Sequence, residues 1–112
     1  FIINQILNNS IKYKKKDGNS VIKIYAIEEK DLVNLFIYDN GIGISKSDIT
    51  RVFDKTFTGK NGRKDANSTG MGLYIVKKLI DKLGHKISIS SKENEYTEVK
   101  ITFGKNDLYN IK

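Results

Sequence analysis

"DNGIGISKSDITRVFDKTFTGKNGRKDANSTGMGLYIV", residues 39–76, holds six of the nine glycines in the chain. It opens on an aspartate that ends an alternating apolar run. It closes on Gly70 and Gly72, where an amphipathic run begins. The middle, residues 54–69, is polar and basic and shows no hydrophobic period. A carboxylate at one end, glycine pairs at both ends and loose positive charge between them have to be explained together.

Outward from the C-terminal end, Val76, Leu79, Ile80 and Leu83 recur at i, i+3, i+4, i+7 while Lys77, Lys78, Asp81 and Lys82 face away. That spacing predicts an amphipathic helix, with Gly84 as its stop. Strands follow over 86–91 and 97–103; in the second, Val99, Ile101 and Phe103 alternate with Lys100 and Thr102. Outward from the N-terminal end, residues 32–39 read as a strand. Val33, Leu35 and Ile37 share one face, and Asp39 continues it. A polar turn, "EKD", joins that strand to one over 20–28, and "DGN" at 17–19 is a further turn. Residues 1 to about 15 read as a helix, with Ile3, Ile6, Leu7, Ser10 and Ile11 at helical spacing. "SKSD" at 45–48 caps a short helix running to about Phe53. The order predicts an α+β two-layer sandwich, with helices on one face of a mostly antiparallel sheet, rather than a doubly wound fold.

The chain has 112 residues, of which 38% are hydrophobic, enough for one domain with a core. It has no cysteine, which excludes a disulfide framework and thiolate metal sites and fits a reducing compartment. No apolar run approaches the roughly 18 residues of a membrane span. The chain starts on Phe1 without a methionine and reads as a piece of something larger. The net charge of +7 gathers at Lys12, Lys14, Lys15 and Lys16 and again at Lys55, Lys60, Arg63 and Lys64. Nucleic acid, an acidic membrane or a phosphate-bearing ligand could each use it, and a solvated basic surface is the simpler reading.

Two common phosphate motifs fail. G-x-G-x-x-G would need glycine at Lys46 or Ile75, and "GKNGRK" at 59–64 has two residues where a P-loop needs four. Glycines at a loop-to-helix junction, preceded by Ser68 and Thr69, still let N–H groups approach an anion at the positive end of a helix. Two flexible glycines at a helix start are the alternative. Asp39 on a buried face is costly unless something bonds it; it either caps the next turn or accepts from a ligand amine. Gln5, Asn9, Lys12 and Tyr13 fall at i, i+4, i+7 and i+8, one stripe of a helix. That stripe is either solvated or offers a carboxamide suited to Mg²⁺, a cation for phosphate and a ring for a base. Taken together the three elements describe a nucleoside triphosphate with Mg²⁺.

Here the sequence resembles a known family. "NQILNNSIKY" is similar to the N box of bacterial sensor histidine kinases, "DNGIGI" to the G1 box, "VFDKTF" to the F box and "STGMGLYIVKKL" to the G2 box. The resemblance covers residues 1–112 as one catalytic ATP-binding domain of the gyrase/Hsp90/histidine kinase/MutL superfamily. It implies a Bergerat-type fold: a mixed, mostly antiparallel sheet under about three helices, with a long mobile ATP lid. It implies Asn9 as the Mg²⁺ ligand and Lys12 as a phosphate contact, the two catalytic positions. It further implies Tyr13 near the adenine or ribose, Asp39 on the adenine amine, and Gly41 and Gly43 as the glycines of the G1 turn. Ser68, Thr69, Gly70, Met71, Gly72 and Leu73 run along the G2 turn, with Lys55 and Phe57 in the lid. Thr97 stands where many members place a threonine near the adenine, although "ENEYTEV" lacks the glycines that often precede it. "FDKTFTGKNGRK" with "STGMGLYIVKKLIDKLGH" is similar to the Gram-positive kinases linked to bacitracin and other antimicrobial peptides.

The resemblance implies transfer of the γ-phosphoryl group of ATP to a histidine of a separate dimerisation domain, with a response regulator downstream. It also implies a dimeric, membrane-anchored parent whose catalytic domain is cytoplasmic, and a monomeric fragment. Hydrolytic members of the superfamily resemble one another in a glutamate one turn before the asparagine. Here that position is Gln5, and a carboxamide is a poor base. The only histidine, His85, reads as a surface or loop residue, so the isolated domain is expected not to phosphorylate itself. The competing readings are an anti-sigma-factor-like serine kinase and a non-enzymatic basic nucleic-acid-binding module. The second leaves Asp39 and the glycine pairs unexplained, and no nucleic-acid partner is expected.

Overall fold

The computed structural model describes residues 1–54 and 72–104. Among the described residues, seven elements follow in order: α1 (Ile2–Lys12), β1 (Ile22–Glu28), β2 (Leu32–Asp39), α2 (Lys46–Ile49), α3 (Gly72–Lys82), β3 (Lys86–Lys92) and β4 (Tyr96–Gly104). The strands form one sheet in the order β1-β2-β4-β3, and all three pairings are antiparallel. Among the described residues, no parallel pairing gives the sheet the mixed character the family resemblance implies.

The two-residue period of β2 sends Val33, Ile37 and Asp39 to the same face, where each is buried. Ile101 and Val99 of β4 lie opposite Leu35 and Ile37 on that face. Ile6 of α1 and Val76 and Ile80 of α3 close over them. These six aliphatic side chains, Ile6, Ile37, Val76, Ile80, Val99 and Ile101, make the core, with Ile87, Ile89, Leu7 and Phe103 packed against it. A truncation such as Ile37→Ala here costs ~2–5 kcal/mol. Two long helices therefore cover the sheet. The third, α2, is a single turn beside β3, capped by the Ser45 hydroxyl accepting from the Asp48 N–H at 3.3 Å. It ends at Ile49, short of Phe53, and turns through residues 51–54.

Helix α3 stops as its sequence requires. Gly84 takes φ +79°, its N–H reaches the Asp81 carbonyl (3.1 Å), and the His85 N–H reaches the Ile80 carbonyl (3.0 Å). These are the two bonds of a Schellman motif, which only a residue tolerant of positive φ closes at no cost. The motif folds His85 back onto the sheet edge. It is 8% exposed, its ring edge-on to Phe103 with centroids 4.6 Å apart. The expectation of a surface or loop histidine is right about the loop, since His85 lies between α3 and β3, and is corrected about the surface: the chain reversal at Gly84 buries it. Leu83, placed on the apolar face by its spacing, is instead 59% exposed, because the helix ends at Lys82. Ile11 is exposed for a related reason, since α1 ends one residue later and the chain leaves the sheet.

Candidate functional site

A cavity opens between α1, the start of α3 and the β2–β4–β3 part of the sheet. Its walls are Ile6, Asn9, Ser10, Tyr13, Asp39, Leu73, Ile89, Thr97 and Val99. The three origins follow from the fold. Helical spacing puts Ile6, Asn9, Ser10 and Tyr13 on one side of α1. The strand period ends the buried face of β2 on Asp39. Antiparallel register sets Thr97 of β4 directly across from Asp39.

Asp39 is 8% exposed and has two partners. The Ser10 hydroxyl donates to Oδ2 at 3.0 Å, and the Gly41 N–H donates to Oδ1 at 2.9 Å. Burial pushes its carboxyl above the usual carboxylate range, and the Gly41 and Ser10 hydrogen bonds pull it partly back. The turn-capping reading of Asp39 is thus true, and it does not exhaust the residue. A carboxylate has about four lone-pair sites, and two are taken.

The glycines of "GIG" have a definite structural job. A Cβ on Gly41 would lie 2.5 Å from the Tyr13 carbonyl oxygen and 2.8 Å from Asp39 Oδ1. Gly43 has φ +71°, and a Cβ there would strike the Lys92 carbonyl. The turn is pinned on both sides: the Ile42 N–H donates to the Tyr13 carbonyl (3.0 Å), and the Ile44 N–H donates to Ser91 Oγ (2.8 Å). Close backbone approach to the end of α1 and to the β3–β4 turn is what requires glycine here.

Asn9 is half-buried on the cavity wall, and its carboxamide makes no hydrogen bond among the described residues. Among those residues no cluster of three or more His, Cys, Asp or Glu side chains could cage a metal ion. The donor set of one neutral amide oxygen fits Mg²⁺ only in its usual mode, keeping waters and bridging to substrate phosphates. Gln5, one turn earlier, points at the start of α3, where its Oε1 would lie 2.9 Å from a Cβ on Gly72.

The structure brings five expected residues to the cavity wall: Asn9, Tyr13, Asp39, Leu73 and Thr97. Thr97 Oγ1 is 3.0 Å from Ser91 Oγ, so the strand pairing orients it without the glycines missing from "ENEYTEV". Lys12 is exposed, its Nζ 5.4 Å from the Tyr13 ring centroid, and does not line the cavity. Gly41, Gly43 and Gly72 do not line it. The lid expectation, with Lys55, Phe57, Lys60, Arg63, Lys64, Ser68, Thr69, Gly70 and Met71, lies outside the described residues. Sequence reasoning missed Ile6, Ser10, Ile89 and Val99. For Ser10 a signal existed: a hydroxyl on the apolar face of α1 needs a partner, and Asp39 was the other polar group assigned to a buried face.

Residues 1–107 match the family model described as "Histidine kinase-, DNA gyrase B-, and HSP90-like ATPase". The chain is 39% identical over 104 residues to the sensor histidine kinase YxdK of Bacillus subtilis (strain 168), a match covering 92% of this chain and 31% of YxdK. It is 39% identical over 102 residues to the sensor protein kinase GraS of Staphylococcus aureus (strain Newman), covering 91% of this chain and 29% of GraS. It therefore spans less than a third of the length of either relative. The fold is similar to that of the mycobacterial sensor histidine kinase MprB, with a TM-score of 0.75 at 24% identity, covering 92% of this chain and 69% of that one. The chain belongs to the histidine kinase-, DNA gyrase B- and HSP90-like ATPase family.

Proposed function

We propose that this chain is the catalytic domain of a sensor histidine kinase. It binds ATP with Mg²⁺ and presents the γ-phosphoryl group to a histidine of a separate dimerisation domain. One observation carries the reading: a buried carboxylate, held as an acceptor by Ser10 and Gly41, faces a cavity whose apolar walls are Ile6, Leu73, Ile89 and Val99. Aliphatic walls suit the faces of a purine, and the free lone pairs of Asp39 suit its 6-amino group. Tyr13 and Thr97 flank the same cavity.

Asn9 is the residue that would hold Mg²⁺ through its amide oxygen. When bound, the ion supplies neutralisation of the phosphate charge as the transfer proceeds. The chain's own task is positioning. The acceptor imidazole attacks phosphorus with its free nitrogen, the bond from phosphorus to the β–γ bridging oxygen breaks, and ADP leaves. No base is needed to make neutral imidazole a nucleophile, so Gln5 in place of a carboxylate is consistent with transfer rather than hydrolysis. His85, packed on Phe103 at the end of α3, is no candidate acceptor. Lys12 on the last turn of α1, and Gly70 with Gly72, are proposed phosphate contacts.

The parent we envisage is dimeric and membrane-anchored with this domain in the cytoplasm, and passes its phosphoryl group to a response regulator. Among the described residues no helix is long and apolar enough to cross a membrane. Antimicrobial-peptide sensing is the finer proposal, supported by the sequence resemblance of the G2 region. The test is phosphotransfer from labelled ATP to a supplied dimerisation domain. Label that is acid-labile and base-stable indicates phosphohistidine. Acid-stable label on serine would favour a serine kinase instead.

A further inference from the structure

We propose that Ser10 is a specificity-determining positioning residue: together with the Gly41 N–H, its hydroxyl locks the Asp39 carboxylate as a fixed acceptor and so sets a preference for 6-amino over 6-keto purines. This rests on the ATP-site reading above.

The case begins with the geometry. Ser10 is 5% exposed on the inner side of α1, and its Oγ sits 3.0 Å from Asp39 Oδ2 and 3.2 Å from the Ile6 carbonyl. A hydroxyl has one proton. The ionised oxygen is the stronger and nearer acceptor, and the Ile6 carbonyl already takes part in the helical ladder of α1. The proton therefore goes to Oδ2. The Gly41 N–H holds Oδ1 at 2.9 Å. Two donors on two different oxygens fix the plane of the carboxylate; one donor would leave it free to pivot about its Cβ–Cγ bond.

Among the described residues no other group does this work. Among the described residues the cavity wall carries no lysine, arginine or histidine that could hold the carboxylate by charge. Thr97, opposite Asp39 on β4, is engaged with Ser91. Ile22, opposite Asp39 on β1, is apolar. Discrimination between a 6-amino and a 6-keto base depends on the carboxylate being an acceptor in one fixed place. The keto base then meets an oxygen with no proton to offer, and a buried polar pair is left unmade. A carboxylate held at one oxygen can rotate aside or admit a bridging water, and the penalty on the keto base shrinks.

The experiment compares ATP with inosine triphosphate, which differs from it by a keto group at position 6 and the accompanying ring proton. Affinities are measured by calorimetry with Mg²⁺ for the wild-type chain, Ser10→Ala and Ser10→Thr. Alanine is the best helix former, so Ser10→Ala is expected to fold, as circular dichroism checks directly. Wild type is expected to favour ATP by about tenfold or more, Ser10→Ala to lower that ratio by roughly fivefold, and Ser10→Thr, which returns a hydroxyl, to recover part of it. An unchanged ratio in Ser10→Ala, or equal loss of affinity for both nucleotides, overturns the role of Ser10 and leaves the ATP-site reading standing. A wild-type chain that binds both nucleotides equally overturns the Asp39 reading and this proposal with it.

Discussion

Gln5 and Gly72 meet where α1 passes the first residue of α3: a Cβ added to Gly72 would lie 2.9 Å from Gln5 Oε1. The obstacle is the far end of a flexible side chain, so it can move. Gly72→Ala is therefore expected to change stability by less than ~1 kcal/mol, because relief of glycine's backbone entropy offsets the crowding. It should nonetheless lower Mg·ATP affinity, since displacing Gln5 shifts the start of α3 relative to Asn9. Adding Gln5→Ala should restore part of that loss, giving a coupling of ~0.5–3 kcal/mol in a double-mutant cycle.

Asp39→Asn separates folding from binding. The new carboxamide can accept from the Gly41 N–H and donate to Ser10 Oγ, while Ser10 turns its proton to the Ile6 carbonyl 3.2 Å away. Every buried group keeps a partner. The wild-type carboxyl is raised above its usual range by burial. Between its unfolded and folded values the folded state binds the extra proton, so its contribution to stability is fully present below the unfolded value and is lost as pH rises through the folded one. At pH 7.5 the variant should melt at or above the wild-type temperature, and the difference should disappear in acid. ATP affinity should fall by the ~1–3 kcal/mol of an unmade buried hydrogen bond.

Gly43→Ala should be costly to the fold itself. Its φ of +71° and the Lys92 carbonyl against the missing Cβ leave no room to relax. A loss of at least ~1–3 kcal/mol is expected in denaturant unfolding. Gly18→Ala makes the control: φ is +86° there but nothing lies within 4 Å, so only the backbone penalty of ~1 kcal/mol remains.

Asn9→Ala should remove the Mg²⁺-dependent part of ATP affinity and leave Mg²⁺-free affinity much less changed. Titrations with and without chelator check this. Equal losses under both conditions would make Asn9 a wall residue only.

Much of this site was legible because local periods carried it. The strand period placed Asp39 on the buried face, and helical spacing placed Asn9 and Tyr13 together. What local periods could not carry was the pairing of distant strands. Nothing in "ENEYTEV" announces that Thr97 will face Asp39, because β2 pairs with a strand that follows it only after two helices and β3. Ser10 was read as part of a hydrophobic spacing because its partner lies 29 residues away. The exposure of Ile22, Ile24 and Ile27 was also out of reach: β1 is the edge strand, and no described helix covers it. Leu83 and Ile11 failed for a third reason, that helix ends decide exposure and spacing does not mark them.

The most direct measurement is a calorimetric titration of the chain and of Asp39→Asn with Mg·ATP and Mg·GTP. ATP should bind one to one and at least several-fold tighter than GTP, which presents a carbonyl oxygen to Asp39, and Asp39→Asn should lose most of the ATP affinity with its fold intact. Equal affinities for ATP and GTP, or an Asp39→Asn variant that binds ATP as the wild type does, would contradict a nucleotide site built on Asp39.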